Sequence, residues 1–137
     1  MGKRLLAQSH KPELLISSPA NRALSTAINI AWELGIDEAE IVSDDNLYFS
    51  GAQGMQSVLV NVDDSYRKVM LIGHNPAMTL LMNRLGNTNI FNMPTCAIAI
   101  IGFEMASWAD LYSTSGVLLG YDYPKGSGCF STDGNDG

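Results

Sequence analysis

The sequence has 137 residues, which suits one domain, and 46% of them are hydrophobic, enough to bury a core. The net charge of −6 argues against nucleic-acid binding, because no Lys/Arg cluster is present to neutralise a phosphate backbone. The two cysteines, Cys96 and Cys129, have no metal-ligand spacing. The residues after Met1 do not resemble a signal peptide, and no run of about 18 apolar residues occurs. These features predict a cytoplasmic protein that binds no membrane, metal or cofactor.

The N-terminal residues predict a helix and then a buried strand. Residues 1–9 carry a helical pattern in which Leu5 and Leu6 face one way. A helix that begins at residue 1 has neither a cap nor a preceding turn, so we expect the sequence to be N-terminally incomplete. Residues 13–18 form a short apolar run between polar residues, which predicts a buried strand.

A helix is predicted after this strand, beginning at Ser18-Pro19 and ending near Leu34. Ser is a favoured N-cap residue, and Pro is favoured at the first helical position. Gly35 follows as a C-terminal cap. The apolar residues of this segment recur with the roughly 3.6-residue period of a helix and predict its buried face. They are Ala20, Ala23, Leu24, Ala27, Ala31 and Leu34.

The rest of the chain alternates between strand and helix patterns. Strands are predicted at residues 40–43, 68–73, 96–104 and 116–122. Helices are predicted at residues 51–61 and from Asn75-Pro76 to Leu85, closed by Gly86, and a turn and an edge at 107–112. This alternation predicts an α/β fold with a largely parallel sheet, in which one late strand runs antiparallel. Residues 126–137 are mostly Gly, Ser and Asp and predict a disordered tail.

One local pattern occurs twice. A buried strand ends, a polar residue caps a helix, and proline takes the first helical position, once at Ser18-Pro19 and once at Asn75-Pro76. Because the carboxyl ends of parallel strands share one edge of a sheet, both junctions are expected to open onto the same crevice.

Each junction also supplies a side chain that is, or can become, a cation. Arg22 lies in the first turn of the helix after the first junction, and His74 lies in the turn just before Asn75. Helix N-termini attract anions, and an Arg fork beside a His suits one phosphoryl group. The alternative is that both junctions are ordinary structural caps. His10 lies in a polar connection and is predicted to be a solvated loop residue.

Other polar residues are explained by structural roles. Asp44-Asp45 and Asp63-Asp64 are adjacent carboxylates in predicted loops, where solvation and capping account for them. Ser17 and Thr26 are assigned to turn and helix roles, whereas Ser18 is a candidate for contact with phosphate. No His or Cys cluster has the spacing of a metal site.

Several segments resemble a known family. The run from Ser17 to Ala23 (Ser-Ser-Pro-Ala-Asn-Arg-Ala) resembles the second motif of the histidine phosphatase, or phosphoglycerate mutase-like, superfamily. Val69–Pro76 resembles its later Gly-His motif. Three further segments resemble the small SixA branch, the protein phosphohistidine phosphatases: residues 93–97, 107–111 and 121–125. The resemblance predicts a histidine phosphatase-like domain over residues 1–125 and does not extend to the tail.

The resemblance implies roles for individual residues. In the family, a histidine of an Arg-His-Gly motif takes the phosphoryl group and passes it to water. Arg22 matches the arginine that holds phosphate oxygens, and His74 matches a second histidine that stabilises the charge of the transferring group. Ser18 and Asn75, at the two helix starts, are the candidate substrate-binding residues. The implied partner is a phosphohistidine-containing protein such as a histidine phosphotransfer domain.

The sequence departs from the family in one large respect, because it contains no Arg-His-Gly, and in a minor one, because Ser25 stands where the family often has Gln. The implied fold is a three-layer sandwich with a mostly parallel sheet flanked by helices, phosphoglycerate mutase-like, but lacking its first, central strand. That strand would lie between those at 68–73 and 96–104. We therefore expect a protein phosphohistidine phosphatase whose nucleophile is missing from this sequence. The alternative is a non-catalytic phosphate- or phosphoprotein-binding protein of the same fold, and the oligomeric state is left open.

Overall fold

The computed structural model describes residues 12–90 and 98–122. Within these ranges the strands are β1 (Leu14–Ser17), β2 (Ile41–Ser43), β3 (Val69–Ile72), β4 (Ile98–Gly102) and β5 (Val117–Asp122). The α-helices are α1 (Asn21–Leu34), α2 (Asn46–Phe49), α3 (Gly51–Val60) and α4 (Ala77–Gly86). Two short 3₁₀ helices lie at Glu38–Glu40 and Trp108–Ser113.

The described strands form two sheets. Three of them pair in parallel in the order β2-β1-β3, with Leu15 opposite both Ile41 and Met70. The other two, β4 and β5, pair antiparallel, with an irregularity between Ile100 and Ile101. The prediction of a parallel arrangement followed by a late antiparallel strand is therefore confirmed.

Helices cover both faces of the parallel sheet. Successive residues of β1 point to opposite faces, as in any strand. Leu15 packs against α1, in a cluster with Ala23, Ala27, Ala31 and Ile72. Ile16 packs on the other face against residues of α3 and α4. The buried residues of that cluster are Leu47, Ala52, Met55, Leu59, Leu81, Leu85 and Leu111. The result is a three-strand parallel sheet between two helical layers.

No strand ladder joins β3 to β4 among the described residues. The two strands are nevertheless packed under the same helix, because Met70 of β3 and Ile98 and Ile100 of β4 all contact the cluster of Ile30 and Leu34 in α1. β1 is deeply buried, whereas β4 is only half-buried along its whole length. The family resemblance places a central strand between β3 and β4. That this strand is missing stays a prediction.

The first helix begins later than its sequence pattern indicates. We expected Ser18 as N-cap and Pro19 as the first helical residue, but the helix starts at Asn21, and Ala20 takes the N-cap position with an extended backbone. The Ser18 hydroxyl accepts a hydrogen bond from the Ala20 amide at 3.3 Å, so it stabilises the approach to the helix rather than its first turn. At the other end, Gly35 has φ +74° and terminates the helix as predicted.

The second strand–helix junction also differs in detail. The helix begins at Ala77 rather than at Pro76, which takes the N-cap position. Its last residue is Gly86, and Asn87, with φ +54°, is the residue that ends it. The prediction that Gly86 is the C-terminal cap is therefore wrong. Asparagine can also adopt the left-handed conformation that ends a helix.

Three short elements were missed or misassigned. Residues 107–112, predicted as a turn and an edge, lie mostly in the 3₁₀ helix Trp108–Ser113, which Ser107 caps by accepting the Ala109 amide. Helix α2 and the 3₁₀ turn Glu38–Glu40 are too short for a periodic pattern to reveal.

Several predictions concern residues outside the described ranges. They are the helix at 1–9, His10, the segment 93–97 with Cys96, the first residues of the strand at 96–104, the segment 123–125, and the tail at 126–137 with Cys129.

Candidate functional site

The carboxyl ends of β1, β2 and β3 lie at one edge of the parallel sheet, and backbone hydrogen bonds connect the segments that follow them. The Ser18 amide donates to the Ile72 carbonyl at 2.9 Å, and the Asp44 amide donates to the Ser17 carbonyl at 3.0 Å. The two strand–helix junctions singled out in the sequence therefore open onto the same edge.

A side-chain hydrogen bond joins these two junctions. Ser18 Oγ lies 2.8 Å from His74 Nε2, and the tautomer of the imidazole decides which of the two atoms donates. Ser18 is fully buried, whereas His74 is half-buried and so can meet a ligand. The bond fixes the position of one ring nitrogen at the sheet edge.

Arg22 brings a positive charge to the start of α1. Its side chain is exposed, and its guanidinium makes no hydrogen bond or ion pair within residues 12–90 and 98–122. The first turn of α1 contains no acidic residue, and no side chain caps it. Both the guanidinium and the first amides of the helix are thus available to an anion.

Asn75 has a structural role in this structure. Its Oδ1 accepts hydrogen bonds from the Thr79 amide at 3.2 Å and from the Thr79 hydroxyl at 2.8 Å. Asn75 therefore caps α4, although it lies one residue before Pro76, which takes the N-cap position. If Asn75 also binds substrate, it would do so through the NH₂ group of its side chain.

Tyr48 contacts the candidate site residue His74, and the sequence did not indicate this. It lies in α2, which follows β2 at the same edge of the sheet, and its ring contacts the ring of His74 edge-on, with centroids 5.5 Å apart and planes at 73°. A tyrosine in a four-residue helix carries no periodic or motif signal. Only the parallel pairing of β1 with β2 brings it next to His74.

The other polar candidates have the structural roles expected of them. Ser17 donates to the Ser18 carbonyl, and Thr26 donates to the Arg22 carbonyl, so both hydroxyls are used locally. Asp44 Oδ1 accepts the Asn46 amide.

The second pair of carboxylates stabilises loops away from this edge. Asp64 accepts hydrogen bonds from the Ser107 hydroxyl and the Trp108 amide. Asp63 accepts the Ser65 amide, and this bond, together with one from the Ser65 side chain, lowers the pKa of the Asp63 carboxyl. Neither carboxylate contacts Ser18 or His74.

Two clefts lie elsewhere on the surface. One of about 340 Å³ is lined by Pro12, Glu13 and Ile36 among others, and one of about 540 Å³ lies beside Gln56 and Arg84. In the described part of the chain, no three His, Cys, Asp or Glu side chains are grouped to hold a metal ion. No helix within the described ranges has the length and apolarity to cross a bilayer.

Three solved structures have similar folds. Two are assigned as the phosphohistidine phosphatase SixA, from Nakamurella multipartitia and from Agrobacterium tumefaciens. The first is 19% identical with a TM-score of 0.68, over 91% of this chain and 78% of that one. The second is 20% identical with a TM-score of 0.68, over 90% and 75%.

The third is the protein histidine phosphatase SixA complexed with tungstate, which is 19% identical with a TM-score of 0.66, over 88% of this chain and 74% of that one. No family model matches the sequence, and no curated protein matches it. At this level of identity the likeness concerns the fold. The chain has the fold of the SixA phosphohistidine phosphatases.

Proposed function

We propose that this chain is the phosphate-binding part of a protein phosphohistidine phosphatase, with its site at the edge formed by Ser18, Arg22 and His74. The observation that carries the proposal is the hydrogen bond of 2.8 Å between Ser18 and His74. It joins two strand–helix junctions that are far apart in sequence. Beside them, the first turn of α1 contains Arg22, whose guanidinium makes no hydrogen bond or ion pair among the described residues. We place this activity in the cytoplasm. The proposed substrate is a protein that carries phosphohistidine, such as a histidine phosphotransfer domain.

Each residue has a separate task in this proposal. Arg22 donates two parallel hydrogen bonds to phosphoryl oxygens, and the first amides of α1 face the same group. His74 stabilises the charge that builds up on the transferring group, while Ser18 holds its ring in place. Asn75 supports the start of α4 and approaches the substrate with its amide. Phosphoryl transfer depends mainly on positioning and electrostatic stabilisation, which such residues supply. The tungstate complex of a structurally similar SixA supports an oxyanion site, because tungstate is an oxyanion.

The covalent step needs a residue that the sequence does not contain. In the proposed reaction, a nucleophilic histidine nitrogen attacks phosphorus, the P–N bond of the substrate breaks, and the departing imidazole takes up a proton. Water then attacks the enzyme phosphohistidine and releases inorganic phosphate. The 137 residues include only His10 and His74 and no Arg-His-Gly. The proposed phosphate binding therefore uses residues that are present, whereas the proposed turnover uses a nucleophile from outside them.

Replacement of Arg22 tests the binding site. Arg22→Ala removes a bidentate donor to a charged ligand, and we expect the affinity for inorganic phosphate to fall about ten- to hundredfold. Isothermal titration calorimetry measures this affinity. The matched control is Arg67→Ala, which removes the same charge at the opposite end of β3. Equal losses in both variants would mean that phosphate responds to net charge and not to this edge.

Turnover separates the phosphatase from a protein that only binds. With a phosphorylated histidine phosphotransfer domain as substrate, we expect the 137-residue chain to release phosphate slower by several orders of magnitude than an intact phosphatase, as after other nucleophile deletions. Fusion of an upstream strand ending in Arg-His-Gly is expected to restore release. If the 137-residue chain alone turns over the substrate at a normal rate, the expectation that its nucleophile is missing is wrong. Tight binding without turnover, even in the fusion, favours the non-catalytic alternative.

A further inference from the structure

We infer that Tyr48 is a positioning residue for His74, which fixes the plane of the imidazole so that the ring faces a bound phosphoryl group. The inference rests on the proposed function of the edge formed by Ser18, Arg22 and His74. Its basis is the edge-on contact between the two rings, whose centroids lie 5.5 Å apart with an angle of 73° between the planes. This geometry is one of the two that aromatic pairs prefer.

Tyr48 is held firmly where it makes this contact. Its neighbour Leu47 is 2% exposed and lies in the same core cluster as Ile16 of β1. The turn before it is attached to β1 by the hydrogen bond from the Asp44 amide to the Ser17 carbonyl. The Tyr48 amide itself donates to the Asp45 carbonyl at 2.9 Å. Leu47 thus anchors α2, and the tyrosine ring is presented at the edge of the sheet.

The imidazole of His74 is held from two sides. Ser18 fixes the position of Nε2, but one hydrogen bond leaves the ring free to rotate about the bond direction, and the outer torsion of histidine has a broad energy profile. Tyr48 approaches from the segment after β2 and blocks that rotation. A histidine that must face a phosphoryl group needs both restraints, because a small misorientation lowers the stabilisation that it provides.

Burial does not explain why a tyrosine stands at this position. The residue is 53% exposed, and its neighbour Leu47 supplies the buried contact of the helix. The ring contacts the imidazole of His74 edge-on. Replacement of Tyr48 should therefore change the imidazole more than it changes the stability of the fold.

Two variants at Tyr48 test this role. Tyr48→Leu removes the ring and is expected to shift the His74 ring-proton signals and to lower the affinity for inorganic phosphate about three- to tenfold, the range of aromatic pair energies. Tyr48→Phe keeps the ring and should restore both readouts. Tyr112→Leu is the matched control, because Tyr112 is also more than half exposed, at 61%, but does not contact His74. A His10→Gln background leaves a single histidine signal, that of His74, to follow by proton NMR.

A double-mutant cycle decides whether Tyr48 acts through His74. In a His74→Gln background, Tyr48→Leu should cause no further loss of phosphate affinity. An equal loss with and without His74 overturns the inference, because Tyr48 would then act on the anion or on the fold directly. Failure of the wild-type chain to bind phosphate contradicts the proposed function. In that case the His74 ring signals alone decide the inference, and unchanged signals in Tyr48→Leu overturn it.

Discussion

Two adjacent serines at the end of β1 show how differently one side-chain type can be used. Ser17 and Ser18 are both fully buried. The Ser17 hydroxyl donates to the neighbouring Ser18 carbonyl at 2.8 Å, a contact within its own strand end. The Ser18 hydroxyl instead contacts His74, 56 residues away, as well as the Ala20 amide. Ser18 therefore connects two parts of the fold, whereas Ser17 stabilises only its own turn.

Replacing the two serines one at a time separates these roles. Ser18→Ala leaves His74 Nε2 and the Ala20 amide without their partner, and we expect a loss of about 1–3 kcal/mol in the free energy of unfolding. We also expect altered His74 ring signals in proton NMR. Ser17→Ala removes an equally buried hydroxyl and is expected to leave those ring signals unchanged. Chemical denaturation measures the stability of both. Identical ring signals in the wild type and Ser18→Ala would show that the hydrogen bond to His74 does not hold the ring.

The residues of the candidate site differ in how far the local sequence reveals them. Ser18, Arg22 and His74 follow from strand–helix junctions, because cap residues and proline mark such junctions in the sequence. Asn75 was found in the same way, but its Oδ1 is used to cap α4 through Thr79. Tyr48 was missed because its partner lies in another strand–helix unit, and no residue pattern within α2 points to His74.

At the scale of elements, β1 and β3 are joined at both ends. At the carboxyl ends the Ser18 amide bonds Ile72, as described above. At the amino ends the Glu13 amide donates to the Lys68 carbonyl at 2.7 Å, and Glu13 Oε1 accepts the amides of Arg67 at 2.6 Å and Lys68 at 3.2 Å. The backbone hydrogen bonds from Arg67 and then Lys68 lower the pKa of the Glu13 carboxyl. The carboxylate thus fixes the start of the parallel pair.

This clamp predicts a pH-dependent contribution to stability. Because the pKa of Glu13 is lower in the folded chain than in the unfolded one, the contribution is present above the unfolded value of about 4.3 and is lost as the pH falls through the folded value. We expect Glu13→Gln to lower Tm near neutral pH, and the difference from wild type to shrink on acidification. Thermal melts across pH measure this.

The control for the clamp is Glu104→Gln. Glu104 is exposed and makes no hydrogen bond or ion pair within the described ranges, so its replacement should leave Tm unchanged at every pH. A difference between Glu13→Gln and wild type that stays constant with pH would show that the clamp does not depend on the charge of the carboxylate.

At the scale of the whole molecule, the separation of β3 from β4 bears on the stability of the chain. The two strands share the cluster of Ile30 and Leu34 but form no ladder among the described residues. A half-buried strand contributes less to the stability of a fold than a central strand does. A strand edge without a partner also favours association with other chains. A buried strand supplies several side chains worth roughly 1.5–3 kcal/mol each, a large share of the roughly 5–15 kcal/mol that stabilises a domain.

We therefore expect the isolated 137-residue chain to be marginally stable. Its thermal unfolding, followed by circular dichroism, should be broad, or its midpoint should rise with protein concentration through association. Analytical ultracentrifugation at the same concentrations determines the oligomeric state. A sharp, cooperative and concentration-independent transition of a monomer would contradict this expectation and would mean that the two sheets are sufficient without a further strand.

The sequence by itself determined the α/β class, the parallel strands, the antiparallel end and the residues of the two junctions. These features depend on local periodicity and on cap residues, which act within a few positions along the chain. Only the tertiary structure decided where the helices begin, that Asn87 rather than Gly86 ends α4, and that the described strands form two sheets. It also decided that Ser18 and Tyr48 both contact His74, because such contacts depend on strand order and register, which bring together segments that are distant in the sequence.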